Sequence, residues 1–269
     1  MVSNQEGNGA SIDMNVILIG AGRGQRLMPI TESEPKSFTL VADKRILDWT
    51  VQAFKENGLD RFVFIGGYLI DSVRQEYPGF RMVENTGWRD NNILFSLMCA
   101  RDHMTDGFYS AYTDTLFRAD AVAALGSSPY DITLVVDTLW RDRYRHRSQH
   151  PESDGEKVTA TGDRVTRVSR DISSDEASGE FTGLLRMTRR GASQFLAFHD
   201  SLYQRYGADG RDADGRPFRM AYLIHQLDLM VQAGIEIHCV GIPGGYHEID
   251  TVEDFHLASE AWGVPGAAS

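Results

Sequence analysis

The residues best suited to chemistry lie in one stretch near the N-terminus. It runs Gly20-Ala21-Gly22-Arg23-Gly24-Gln25-Arg26-Leu27-Met28-Pro29-Ile30-Thr31 and is closed by Pro35-Lys36. Its glycines let the backbone turn tightly and bring N–H groups close to a ligand. Arg23, Arg26 and Lys36 add positive charge. The apolar run Val16-Ile17-Leu18-Ile19 leads into it and reads as a buried strand ended by glycine. A strand that feeds a glycine-rich cationic loop suits a polyphosphate, and so a nucleoside triphosphate.

Spacing excludes the commoner alternatives. A dinucleotide fingerprint needs a third glycine at position 25 or 27, where the chain has Gln25 and Leu27. A Walker A loop needs a closing Gly-Lys-Ser/Thr, which is absent. No zinc spacing of Cys or His occurs, and no serine sits in a nucleophile elbow.

The elements that must position this loop are those of an ordinary globular chain. It has 269 residues, 42% hydrophobic and 24% charged, enough for one large α/β domain or one domain with an inserted lobe. A net charge of −11 argues against nucleic acid as the main partner. Cys99 and Cys239 are expected to be buried thiols in a reducing, cytoplasmic compartment. No apolar run reaches membrane-span length. Residues 1–13 and 263–269 are expected to be loose tails around a domain spanning 14–262.

Strands are expected at Met14–Ile19, Arg61–Gly66, Phe80–Val83, Gly107–Tyr112 and Ile132–Val136, with a short extended piece at Phe38–Val41. Helices alternate with them at Ile46–Asn57, Asp71–Tyr77 and Asn91–His103, the last capped by Asn91. That alternation predicts a mostly parallel sheet with helices on both faces, and short connections bring the loop and the strand ends to one rim. After Asp137 short strands follow at Lys157–Ala160, Val165–Ser169 and Phe181–Thr188. Then come helices at Arg189–Tyr206 and Pro217–Ala233, a strand at Ile235–Val240, and a closing helix at Thr251–Trp262. Thr251 and Asp254 have capping-box spacing.

Gly-Arg-Gly-Gln-Arg-Leu-Met-Pro-Ile-Thr followed by Pro-Lys resembles the signature of the nucleotidyltransferases that make activated sugars and alcohols. Ala21-Gly22 in place of two glycines looks more like the phosphocholine and aminoethylphosphonate cytidylyltransferase branch. Asn91-Asn92-Ile93-Leu94-Phe95-Ser96-Leu97, Asp114 with Phe117, and Glu248-Ile249-Asp250 with Asp254-Phe255 are similar to further elements of that branch. The resemblance runs from Val16 to about Ala258. It implies a Rossmann-like mixed sheet flanked by helices, with a smaller β-rich acceptor lobe at about 138–190.

The resemblance also implies roles. Asp114 and Asp250 would hold Mg²⁺. Arg26 and Lys36 would serve the phosphates and the transition state. Gly20, Ala21, Gly22, Arg23, Gly24, Asn91, Asn92 and Ser96 would bind the nucleotide. Lys157 and Glu180 would face the acceptor. Apart from the resemblance, a cationic head group on the acceptor would want a carboxylate and an aromatic face, for which Glu180, Asp137, Trp140 and Tyr112 are the candidates. His225 and His247 read as packing or surface histidines. The expected substrates are CTP and a small phosphonate or phosphate monoester, with no nucleic acid and no membrane. Self-association stays open. A sugar- or cyclitol-phosphate enzyme using UTP, GTP or dTTP is the alternative, and a non-catalytic nucleotide-binding relative is the second.

Overall fold

The computed structural model describes residues 14–211 and 215–263. The expected N-terminal tail lies outside them, as does 264–269 of the C-terminal one. In chain order the elements are β1 (Asn15–Gly20), β2 (Leu40–Val41), β3 (Lys44–Arg45), α1 (Ile46–Lys55), β4 (Phe62–Gly66), α2 (Ile70–Glu76), β5 (Arg81–Glu84) and α3 (Ile93–Met98). There follow β6 (Gly107–Tyr112), β7 (Thr115–Phe117), α4 (Ala119–Ser127), β8 (Ile132–Asp137), α5 (Trp140–Tyr144), β9 (Lys157–Thr161), β10 (Arg164–Ser169) and β11 (Gly179–Thr188). The chain closes with α6 (Arg189–Tyr206), α7 (Leu223–Gln232), β12 (His238–Ile242), β13 (Tyr246–Glu248) and α8 (Val252–Gly263).

Nine strands form one sheet in the order β5-β4-β1-β6-β11-β8-β12-β10-β9. The β5-β4-β1-β6 half is parallel, as is the β8–β12 pair, while β11 runs antiparallel between β6 and β8. The mixed, mostly parallel α/β sheet is therefore the expected architecture. Along β1 the side chains alternate between two cores. Ile17 and Ile19 join the cluster of α3, α6 and α7, and Val16 and Leu18 join the cluster of α1 and α4. A strand buried on both faces reads as a continuous apolar run because neither face meets water. The strands within 138–190 are continuous with the main sheet. β9 pairs with both β10 and the first residues of β11.

Several boundaries differ from expectation. Lys36–Phe38 forms a 3-10 turn, and the extended piece shrinks to β2. The expected helix at Asn91–His103 is α3 followed by a separate turn at Arg101–His103, and its cap is Asn92, not Asn91. The expected helix from Pro217 starts only at Leu223. Before it, the 219–221 backbone is captured by α3, with Asn92 N donating to Arg219 O at 3.0 Å and Leu94 N to Ala221 O at 3.4 Å. Two helices, α4 and α5, stand where the sequence reading has none. The cysteines are a correction: Cys99 is exposed and Cys239 half-buried, both free.

Candidate active site

Backbone pairing brings the chemistry together. β13 pairs antiparallel with β7, setting Glu248 opposite Thr115. Ile249 N donates to Asp114 O at 2.9 Å, so Asp114 and Asp250 become neighbours although 136 residues separate them. α8 secures the second of them through a capping box. Asp254 Oδ2 accepts from Thr251 N at 2.9 Å and from Asp250 N at 3.1 Å, and Asp254 N donates to Thr251 Oγ1 at 3.2 Å. On the other side, Gly20 ends β1 where a Cβ would fall 2.6 Å from both Phe64 and Thr113 Oγ1. Only glycine fits there, so the loop leaves the sheet beside Thr113 and Asp114.

The loop, the end of β6 and the start of α3 enclose a cleft of about 700 Å³. Gly20, Ala21, Gly22, Arg23, Gly24, Arg26 and Lys36 line it on one side, and Asn91, Asn92, Ser96, Tyr112, Asp114 and Asp250 on the other. Lys36 is the pivot. Its ammonium donates to Asp114 Oδ2 at 2.8 Å and to Asp250 Oδ1, while Arg26 Nη2 donates to Asp250 Oδ2 at 2.5 Å. Burial disfavours the Lys36 charge, but the two carboxylates outweigh it and the ammonium stays protonated. Burial likewise works against the Asp250 charge, yet Lys36 and then Arg26 hold its carboxyl below the ordinary range. Gly24, at φ 68°, lets the loop fold under the Lys36 stem, and Thr31 Oγ1 ties the loop by donating to Gly24 O at 2.8 Å.

Four residues on the cleft or beside its wall were missed by the sequence reading. Asn85, buried at the end of β5, donates to Asn91 Oδ1 at 2.8 Å and to Ser96 Oγ at 2.9 Å, fixing both on the wall. Tyr68 and Trp88 also line the cleft, their rings 5.7 Å apart. The only sequence cue for Asn85 is its place just after a strand, before Thr86-Gly87. Glu248 stands in the closing motif but received no role. Burial, then Asp250 and Asp114, raise its carboxyl well above the usual glutamate range.

A cation would suit this carboxylate group. Asp114, Glu248 and Asp250 supply hard oxygen ligands of the kind divalent Mg²⁺ takes. His150, Glu248 and Asp250 also converge within 4.8 Å. His150 is a poor ligand, because its Nδ1 lies 2.5 Å from Arg147 Nη2 and serves as that guanidinium's acceptor.

The expected acceptor residues divide. Tyr112 is on the cleft wall, and its hydroxyl donates to Glu156 Oε2 at 3.3 Å. Lys157, Glu180 and Asp137 are brought together by strand register but away from the cleft wall, each nearly inaccessible. Glu180 and Asp137 share Arg143, and Tyr144 donates to Glu180 Oε1 at 2.6 Å. The Lys157 ammonium donates to Glu152 O at 3.1 Å and Gly155 O at 3.3 Å. These side chains therefore depart from expectation, because the β9–β11–β8 junction consumes their polar groups internally. Trp140 is buried against Tyr144, and His247 is packed edge-on to Trp262.

Residues 16–206 match the sequence profile of the MobA-like NTP transferase domain, more than half of the chain. The chain belongs to that family. It is a nucleotidyltransferase. It is similar to the CTP:phosphoglutamine cytidylyltransferase of Campylobacter jejuni, 26% identical over 259 residues, which covers 92% of this chain and 100% of that protein. It is similar to the choline-phosphate cytidylyltransferase of Streptococcus pneumoniae at 31% identity over 108 residues, 39% of this chain and 47% of that protein. In fold it resembles the inositol-1-phosphate CTP transferase from T. maritima, with a TM-score of 0.69 and 21% identity over 91% of this chain and 95% of the other. The nucleotidyltransferase is thus a relative of the branch that its loop resembles.

Proposed function

We infer that this nucleotidyltransferase is a cytidylyltransferase. It couples CTP to a small phosphonate or phosphate monoester and releases pyrophosphate. The observation that carries the reading is the cleft in which Lys36 and Arg26 converge on Asp114 and Asp250, beside the glycine loop. The full-length similarity to a cytidylyltransferase supports the choice of base.

An acceptor oxygen attacks the α-phosphorus of CTP. A new P–O bond forms, the α–β bridging bond breaks, and pyrophosphate leaves with the electron pair. Both substrates are anions, so the protein's task is alignment and charge neutralisation. Backbone N–H groups of Gly20 to Gly24, with Arg26, bind the β- and γ-phosphates. Lys36 leans on the α-phosphate as charge builds there. Asn91, Asn92 and Ser96 border the nucleoside. Held by Asp114 and Asp250, with Glu248 beside them, Mg²⁺ would supply charge neutralisation on the triphosphate oxygens. Tyr112, whose phenol burial and then Glu156 keep protonated, bounds the acceptor side. Asp137, Glu180 and Lys157 support that side from behind.

Pyrophosphate release should be measured with CTP, UTP, GTP and dTTP against a panel of phosphocholine, aminoethylphosphonate and sugar phosphates. CTP should be preferred with a small phosphorylated or phosphono acceptor. Preference for UTP or GTP with a sugar phosphate would overturn this reading.

A further inference from the structure

Beyond Tyr112, the acceptor side carries a chain of contacts that the nucleotide cleft does not use. Tyr112 donates to Glu156, and Arg170 Nη2 donates to Glu156 Oε1 at 3.3 Å. The Arg170 guanidinium lies 4.4 Å from the centre of the Tyr222 ring, and that of Arg216 lies 5.6 Å from it. Tyr222 directly follows the 219–221 backbone that is strapped to Asn92 on the cleft wall. Of these groups Tyr112 lines the cleft, and Glu156 and Arg170 continue from it through hydrogen bonds.

The chemistry at this end has a sign. A quaternary ammonium head group, which has no N–H to donate, needs a free aromatic face and an unpaired carboxylate. Here the Tyr222 ring already carries two guanidiniums, and Glu156 already accepts from Arg170 and Tyr112. What remains is donor capacity. The Arg170 side chain is 38% exposed. A guanidinium offers five donors in a planar fork that matches a carboxylate.

On the cytidylyltransferase reading, on which this rests, we propose that the acceptor carries a carboxylate besides its phosphorus group, and that Arg170, seated on Tyr222, receives it. The substrate class is a small phosphorylated or phosphono carboxylic acid, amino acids included. Arg170 is then the residue that separates this class from choline-type acceptors.

Matched pairs test this. With CTP and Mg²⁺, kcat/KM is measured for O-phosphoserine against phosphoethanolamine, and for 2-amino-3-phosphonopropionate against 2-aminoethylphosphonate. Each pair differs by one carboxylate. Phosphocholine is the cationic comparison. The carboxylated member should be preferred by about tenfold or more, the range of a charge-assisted contact. Arg170→Gln should bring that ratio towards one, and Arg170→Lys should restore part of it. Turnover with no such preference, best turnover with phosphocholine, or an unchanged ratio in Arg170→Gln would overturn this proposal alone. Absence of pyrophosphate from every acceptor would overturn the cytidylyltransferase reading as well.

Discussion

Lys36 carries more of the site than any other side chain, since its one ammonium meets both aspartates. On the proposed function, Lys36→Met removes a contact aimed at developing charge, and kcat should fall about 10²-fold or more, roughly 3 kcal/mol. Single-turnover kinetics would check it, and a rate near that of the parent would remove Lys36 from the reaction. Asp114→Asn and Asp250→Asn should each abolish turnover while CTP binding, read by calorimetry, falls far less. His247 governs a different property. Burial, then Arg143 and Arg147, push its imidazole down to about 4 from 6.5. Between those values the unfolded chain binds more protons than the folded one, so stability falls as pH drops through that window. The contribution is fully present above pH 6.5 and is worth roughly 3 kcal/mol. His247→Phe should flatten the melting temperature over this range. An unchanged slope would assign the acid sensitivity to other groups.

At the scale of elements, two local devices aim the site. Gly183 sits at φ 77°, in the irregular stretch of β11 between Phe181 and Leu185, and a Cβ there would lie 2.3 Å from the Tyr112 ring. Gly183→Ala should cost about 1–3 kcal/mol through backbone strain and displace Tyr112. Denaturant titration gives the first effect and acceptor KM the second. The capping box of α8 is the other device. Thr251→Ala removes the hydroxyl that accepts from Asp254 N and donates to Asp254 Oδ2, a cap worth about 1 kcal/mol. Asp254→Ala should cost more, because it also strands the buried Arg147, whose Nε donates to Asp254 Oδ1 at 2.6 Å. If the two variants unfold alike, the Arg147 pair adds nothing to the cap. These devices were only half legible. The Thr251–Asp254 spacing announces the box, whereas nothing near Gly183 in sequence signals Tyr112.

Across the whole molecule, the cleft is closed by the two ends of the described chain. The loop after β1 and the segment before α8 meet at Asp250 through Arg26 and Lys36. A ligand bridging them should stabilise the entire fold. At CTP about a hundredfold above its dissociation constant, with Mg²⁺, the gain is about 2.7 kcal/mol, which raises the melting temperature by roughly 5–10 °C. Thermal unfolding with and without CTP reads this directly. A melting temperature that does not move at saturating CTP would show that no nucleotide bridges the two segments.

Local pattern alone determined the parallel half of the sheet and the cationic glycine loop that lines the cleft. Strand periodicity, glycine placement and the Arg26–Lys36 spacing act within a few residues, so no distant contact is needed to read them. Tertiary structure decided the rest. The β7–β13 pairing turned two remote aspartates into neighbours, and the capture of the 219–221 backbone by α3 delayed α7 to Leu223. Register also drew Lys157, Glu180 and Asp137 inward, where Arg143 and backbone carbonyls use their charges. Whether a charged side chain faces a substrate or satisfies a buried partner depends on which residues pack opposite it, and only the fold supplies those.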